Sequence, residues 1–304
     1  MKNYIYIIVI LCSVLSSCNK DIVEDTCSNN STDIVQESLL LNDISNFNDS
    51  LLSSNQVTKT YNRQQIMEGM AIVVSDAIGA YKIGKIGAKV GTFFGHPAIG
   101  ASIGALIGGA YSSYNCYNAL NSTRAEINNN QLEPIEVAAA YVPALEQESL
   151  IDENLPKQII LDYSTDNEEY IETGAKHNII VKNLQLNNFV IDSDIEKLLS
   201  VEEVEILTSE EFIQGYDSVV CSLKECIIKG EIPQDTDNDV SSLLMNHFFE
   251  ILETYSDRAN DVEFIINKYI DAVEKTNELT TDEKENIYRA LSVAASSYEF
   301  WNEN

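Results

Sequence analysis

The sequence is poor in the residues that carry most protein chemistry. Its 304 positions hold one tryptophan, three histidines and five prolines. His96, His177 and His247 stand far apart, so no His-x-x-x-His spacing offers a metal two neighbouring ligands. No metal and no cofactor is expected, and each imidazole reads as structural or capping. Basic side chains are also scarce, with 19 Lys and Arg against 48 Asp and Glu and a formal net charge of -29. Phosphate backbones are bound through Lys and Arg, which excludes nucleic acid as a partner. The acid excess reads as a solvated surface. No apolar run reaches the ~20 residues of a spanning helix. The cleanest, Ala98–Tyr111, would be roughly 21 Å long as a helix, short of a ~30 Å hydrocarbon core.

What is present is concentrated. Most of the thirteen glycines lie between Tyr61 and Leu120. Gly87, Gly91 and Gly95 recur every four residues, and after His96-Pro97 the pattern resumes at Gly100, Gly104 and Gly108. Four-residue spacing puts each triplet on one helical face, where missing side chains let another helix approach closely. These six are the candidate helix-packing residues. Glycine costs about 1 kcal/mol per helical position against alanine, so such a segment needs tertiary or membrane packing to exist. Pro97 disfavours a continuous helix and makes a hairpin the natural arrangement. No charge occurs from Val90 to Ser122, whereas Lys82, Lys85 and Lys89 form a cationic stripe on the preceding arm. That stripe suits anionic lipid headgroups, and equally the chain's own acidic half.

Two motifs in this segment invite enzymatic readings and fail on context. Gly79-Ala-Tyr-Lys-Ile-Gly84-Lys85-Ile86 follows the strand-like Ala71–Val74 and nearly spells a phosphate-binding loop. It has Ile86 where a Ser or Thr must hold magnesium. Gly100-Ala-Ser102-Ile-Gly104 matches the nucleophile-elbow pattern, but that serine belongs on a sharp strand-to-helix turn and here lies in a periodic glycine helix. No catalytic residue is assigned.

Downstream the chain reads as helical and acidic. Ser193–Glu196, Thr208–Glu211 and Thr280–Glu283 each match the capping box, in which hydroxyl and carboxylate satisfy orphan backbone N–H groups. Ile287, Leu291, Ala294, Tyr298 and Trp301 keep one apolar face along a final helix, as do Leu244, Phe248, Ile251, Leu252 and Tyr255 in an earlier one. Gly230 and Pro233 close a helix that starts at Ser209. The run His177–Val181 is β-branched enough to suit a strand as well. Cys221 and Cys226, five apart in that helix, lie roughly 140° apart around its axis and are not expected to bridge; a Cys27–Cys116 pair is permitted but not indicated. The fold class expected is all-α. Its parts are a signal peptide over 1–17, a flexible tether over 18–60 with an apolar island at Ile34–Phe47, a glycine-zipper helical hairpin over 61–120, a linker over 121–165 and an acidic helical domain over 166–304.

At the N-terminus, Met1-Lys2, the apolar Tyr4–Leu11 and then Leu15-Ser16-Ser17-Cys18 follow the layout of a secretory leader. Leu15–Cys18 resembles the lipobox of bacterial lipoproteins. That resemblance implies cleavage before Cys18, palmitate or a similar acyl chain on Cys18, a lipid bilayer as partner, and, with Asn19 following, passage to the outer membrane of a Gram-negative cell envelope. The lipobox, the glycine module Asp76–Tyr111, the Gly174–Asn178 element and the C-terminal Leu279, Asp282–Lys284, Ser297-Tyr298 and Trp301 together resemble uncharacterised glycine-zipper lipoproteins of Bacteroidetes-type bacteria, which carry no established activity to transfer. The glycine module is also similar to the mature part of two-peptide bacteriocins. The leading expectation is a non-catalytic envelope lipoprotein whose hairpin mediates membrane association or helix–helix self-association. A bacteriocin-like or toxin-like protein that inserts into a target membrane is the alternative, and an unrecognised enzyme the third.

Overall fold

The computed structural model describes residues 38–54, 63–121, 132–140, 159–186, 199–229, 231, 235–255 and 259–302. Among these residues the fold is all-α, as the sequence indicates. Helices α1 (Leu39–Ser54), α2 (Arg63–Phe94), α3 (Pro97–Asn121) and α4 (Pro134–Ala139) precede a 3-10 turn at Thr165–Tyr170. Helices α5 (Ile171–Leu186), α6 (Val201–Leu207), α7 (Glu210–Lys229), α8 (Val240–Tyr255), α9 (Ala259–Lys275) and α10 (Thr281–Asn302) follow.

The hairpin α2–α3 forms the axis of the molecule. At 1.5 Å per residue its arms run about 48 and 37 Å, and they make the most extensive helix pair in the structure. Helix α10 lies along α2 and also touches α3, α5 and α9; α5 packs on α3, α7 on both arms, and α8 on α2 and α1. Two apolar clusters result. One joins the first half of α2 (Met70, Val73, Val74, Ala77, Ile78, Tyr81) to α1, α8, α9 and α10. The other joins Ile83 and Val90 of α2 and Ile103–Tyr111 of α3 to α4, α5, α6 and α7. Glycine hairpin and acidic helices therefore share their cores, because the amphipathic helices turn their apolar faces inward onto an axis that has little charge to repel them.

Several expectations change in detail. Within the stretch read as tether, Leu40, Leu41, Ile44 and Leu51 of α1 are core residues; their helical spacing decides against the polar average of the surrounding composition. Within the stretch read as linker, Val137–Ala140, Ile159 and Tyr163 are buried. His177–Val181 lies inside α5 and Ala71–Val74 inside α2, so neither forms a strand. Gly79–Ile86 and Ser102 are likewise helical, which removes the loop and elbow that the two enzyme motifs require. The Thr280–Glu283 capping box is present, the backbone N–H of each residue reaching the other's side chain. At the second box the cap is Ser209, whose Oγ accepts from the Phe212 N–H, while Thr208 ends α6. A box at Ser200 and Glu203 opens α6. The Ser193 box, the signal peptide and Cys18 lie outside the described residues, as does Cys27. Cys221, Cys226 and Cys116 are free thiols, the last one buried.

Candidate functional site

Five of the six candidate glycines meet at the α2–α3 crossing. A Cβ at Gly87 would overlap the Gly100 carbonyl, and one at Gly100 the Gly87 carbonyl. At Gly91 it would sit 2.5 Å from the His96 oxygen, and at Gly104 2.5 Å from that of Ile83. A Cβ at Gly108 would overlap the Gly79 carbonyl. The obstructing atoms are mostly backbone, which cannot swing aside as a side-chain terminus can. The glycine faces of the two arms are thus turned toward each other. Gly95 is a correction: its φ of +87 is left-handed and nothing lies within 4 Å of a Cβ there. It ends α2, with its own N–H donating to the Thr92 carbonyl and that of His96 to the Gly91 carbonyl, the paired bonds of a Schellman cap. The four-residue rhythm continues into Gly95 because a helix C-terminus also selects glycine. Gly79 and Gly84 belong to the contact but escape the sequence pattern. A Cβ at Gly79 would strike Gly108 and Ser112, and one at Gly84 would strike the Asn286 side chain and approach Ala105 at 3.3 Å.

Two polar clasps hold the axis to its surroundings. In the first, Lys85 Nζ donates to Asp237 Oδ2 at 2.9 Å, Asp239 Oδ2 at 2.8 Å and Ser242 Oγ at 2.9 Å. Lys82 lies 3.8 Å from Asp235, and the exposed Lys89 pairs with Glu211 at 3.2 Å. The cationic stripe thus faces the chain's own acidic half. Burial alone would raise Asp239, but bonds from Lys85, Ser241 and the Ser242 N–H outweigh it and hold the carboxyl at about 2. The neighbouring Tyr81 hydroxyl donates to Ser241 Oγ at 2.9 Å, and burial pushes it up to about 12.

The second clasp is sealed. Asp76 of α2 and His177 of α5 are both 0% exposed, with Asp76 Oδ2 3.5 Å from His177 Nε2. The same oxygen accepts from Ser113 Oγ of α3 at 2.8 Å and Ser297 Oγ of α10 at 2.6 Å, and Trp301 Nε1 donates onward to Ser113 Oγ. Asn178 Nδ2 donates to the Ser296 carbonyl, which leaves Asn178 Oδ1 to accept from His177 Nδ1 at 3.0 Å. That tautomer presents an unprotonated Nε2 to Asp76. Burial raises the Asp76 carboxyl well above its usual range despite the opposing serine bonds. Burial likewise lowers His177 to about 4 against the support of Asn178 and Gly109. Both shifts favour the neutral forms, so the carboxyl keeps its proton and the imidazole goes without a second one, and Asp76 Oδ1 and His177 Nε2 are left without a hydrogen-bond partner. Cys116 is also buried beside Asp76, and burial raises its thiol. These groups join four helices, and none of Asp76, Ser113, Cys116 and His177 lines the cleft beside the 3-10 turn or the one at Tyr114 and Tyr117.

The larger cleft, about 530 Å³, lies between the 3-10 turn, α9 and α10 and is lined by Asp166, Glu169, Glu274, Glu285, Tyr170 and Tyr288 among others. Two of these acids already hold protein groups: Glu274 accepts from the Ser164 N–H and Asn167, and Glu285 from Arg289. Among the described residues no group of His, Cys, Asp and Glu is arranged to hold a metal ion, and no helix is long and apolar enough to cross a membrane. The site that the structure does build is a helix–helix contact with polar clasps, chemically suited to holding a fold together. No protein-family model, curated protein or solved structure matches the chain.

Proposed function

We propose that the protein is a non-catalytic lipoprotein of the cell envelope, held on the outer membrane of a Gram-negative bacterium by an acyl chain on Cys18, and that its glycine zipper serves helix–helix packing. The observation that carries the anchor is Leu15-Ser16-Ser17-Cys18 placed directly after a short apolar stretch and an N-terminal lysine. Support for the packing role comes from the mutual contact of Gly87, Gly91, Gly100, Gly104 and Gly108 within one chain. The non-catalytic reading is supported by the sealing of the Asp76–His177 pair and by the prior commitment of Glu274 and Glu285 in the cleft. Self-association or insertion of the hairpin through the same glycine faces would require α2 and α3 to part, forfeiting that contact. Metabolic labelling with a fatty-acid probe tests the anchor. Wild-type protein should take up label, and Cys18→Ala should lose it and be misprocessed or released; undiminished label on the variant would overturn the reading.

A further inference from the structure

The turn of the hairpin is the part of the glycine module where apolar side chains face solvent rather than protein. Phe93 is 82% exposed, the most exposed large apolar side chain among the described residues. It does not hang from a loose loop. The Schellman bonds of Gly95 and His96 close the turn, Thr92 Oγ1 is occupied by the Ala88 carbonyl, and Phe94 is drawn inward against the second core cluster while touching Phe93 edge-on at 5.2 Å. Ile99 also leans on that cluster, and Ala98 between it and Pro97 is exposed. The result is a rigid apolar knob.

Charge and exposure together set this knob apart: Leu120 shares its uncharged run but is only 38% exposed, and Ile160 lies two residues before Asp162. Val201 is followed by Glu202 and Glu203, Phe264 is preceded by Glu263, and Leu39 and Leu52 share α1 with Asp43 and Asp49. Around Phe93 no charged residue occurs from Val90 to Ser122, and the nearest along α2, Lys89, is paired with Glu211. On a chain of net charge -29 the apex at Phe93 can enter a headgroup region ahead of the Lys89–Glu211 pair, whose carboxylate is already met by a cation. Geometry permits it: the chain from Cys18 to Ser38 spans at most roughly 70 Å, against a radius of gyration of roughly 19 Å for a compact chain of this length. An acyl anchor would leave any face of the domain free to meet the bilayer.

We propose that the hairpin tip, with Phe93 at its apex flanked by Pro97 and Ala98, is a lipid-docking surface that seats in the headgroup–acyl boundary of the membrane. The inference rests on the reading of the protein as membrane-tethered, and it assigns the contact to the tip and not to the glycine face. The aromatic side chain fits an interface, where a rigid ring gains apolar burial at low conformational cost.

The test uses the full mature chain from Asn19 with an N-terminal histidine tag in place of the acyl group, bound to phosphatidylcholine vesicles that contain a nickel-chelating lipid and acyl chains brominated near the headgroup. Phe93→Trp places a reporter at the apex, and wild-type Trp301 supplies the background. Quenching of the variant at least twofold greater than that of wild type is expected; equal quenching overturns the proposal. Phe93→Ser, at an exposed position that folding does not need, should lower vesicle partitioning of the untagged chain about tenfold. An unchanged partition, or a monomer–dimer equilibrium in water that this variant abolishes, would assign the tip to something other than lipid. Because the tag replaces the anchor, loss of acylation in cells leaves these results standing, and a failure of the tip leaves the anchor standing.

Discussion

Asp76 and His177 set the terms at the scale of single residues. An ionised carboxylate in full burial costs several kcal/mol unless it is paired, and here desolvation pushes both partners to neutrality. The folded pair therefore holds one proton over a wide range. Unfolded, the same two groups hold one proton between about pH 4 and 6.5, none above and two below. The pair then makes stability flat from about pH 4 to 6.5. Above 6.5 the folded state keeps a proton that the unfolded state has released, and stability falls by up to about 1.4 kcal/mol per pH unit until Asp76 ionises. Asp76→Asn removes the carboxyl and leaves a buried neutral histidine, whose lowered pKa costs stability as pH falls from 6.5 toward 4 and nothing above. Urea unfolding at pH 5, 6, 7 and 8 should show the variant gaining on wild type as pH rises, by up to about 1.4 kcal/mol per unit for as long as Asp76 keeps its proton in the fold. Parallel curves would mean that Asp76 is ionised in the fold. Nothing in the sequence announces this pair, which lies 101 positions apart and needs Ser113 and Ser297 from two further helices. Local spacing carries no information about a contact that only tertiary packing creates.

At the scale of the element, the hairpin shows which part of a pattern is legible. Gly87, Gly91, Gly100, Gly104 and Gly108 were readable because a period of four is a property of one helix. Gly79 and Gly84 were not, since what crowds them includes the side chains of Ser112 and Asn286, residues met only after folding. Gly95 was readable as a glycine position for the wrong cause, a turn in place of a contact. The apolar face of α10 could be read from its sequence, whereas the caps could be read only to within a residue, because Thr208 and Ser209 both offer a hydroxyl. The contact itself makes a graded prediction. Gly87→Ala and Gly100→Ala each gain about 1 kcal/mol of helix propensity but drive a methyl into backbone, where overpacking costs typically 1–3 kcal/mol or more. Both should lower the urea midpoint. Gly215→Ala in α7 meets only the Ile86 side chain, at 2.9 Å, and should cost less or stabilise. Stabilisation at Gly87 equal to that at Gly215 would contradict the backbone contact.

At the scale of the whole molecule, charge and glycine explain each other. A hairpin without charge from Val90 to Ser122 needs partners with apolar faces, and a sequence with 39 acidic residues over 116–304 needs cations and apolar surface to gather around. Lys85 meets Asp237 and Asp239, Lys82 approaches Asp235, and Lys89 meets Glu211. The stripe that could have served lipid headgroups is occupied from within. The exposed Lys89 pair adds little, since such pairs are worth about 0–1 kcal/mol; Lys85, with three close acceptors, defines how the loop before α8 lies on α2. Composition alone could not choose between these uses, because a lysine at the right spacing suits a phosphate and a carboxylate equally.

The central claim is that the glycine hairpin is the inner core of the folded domain and needs no membrane. Native-state hydrogen exchange of the mature chain in water, without detergent or lipid, addresses it most directly. Amides from Ile83 to Val90 and from Ile103 to Ile107 should exchange as slowly as the core amides of α8 and α10, through global unfolding. Fast exchange across both hairpin arms while α8 and α10 remain protected would contradict the account, and would mean that the hairpin finds its partner elsewhere.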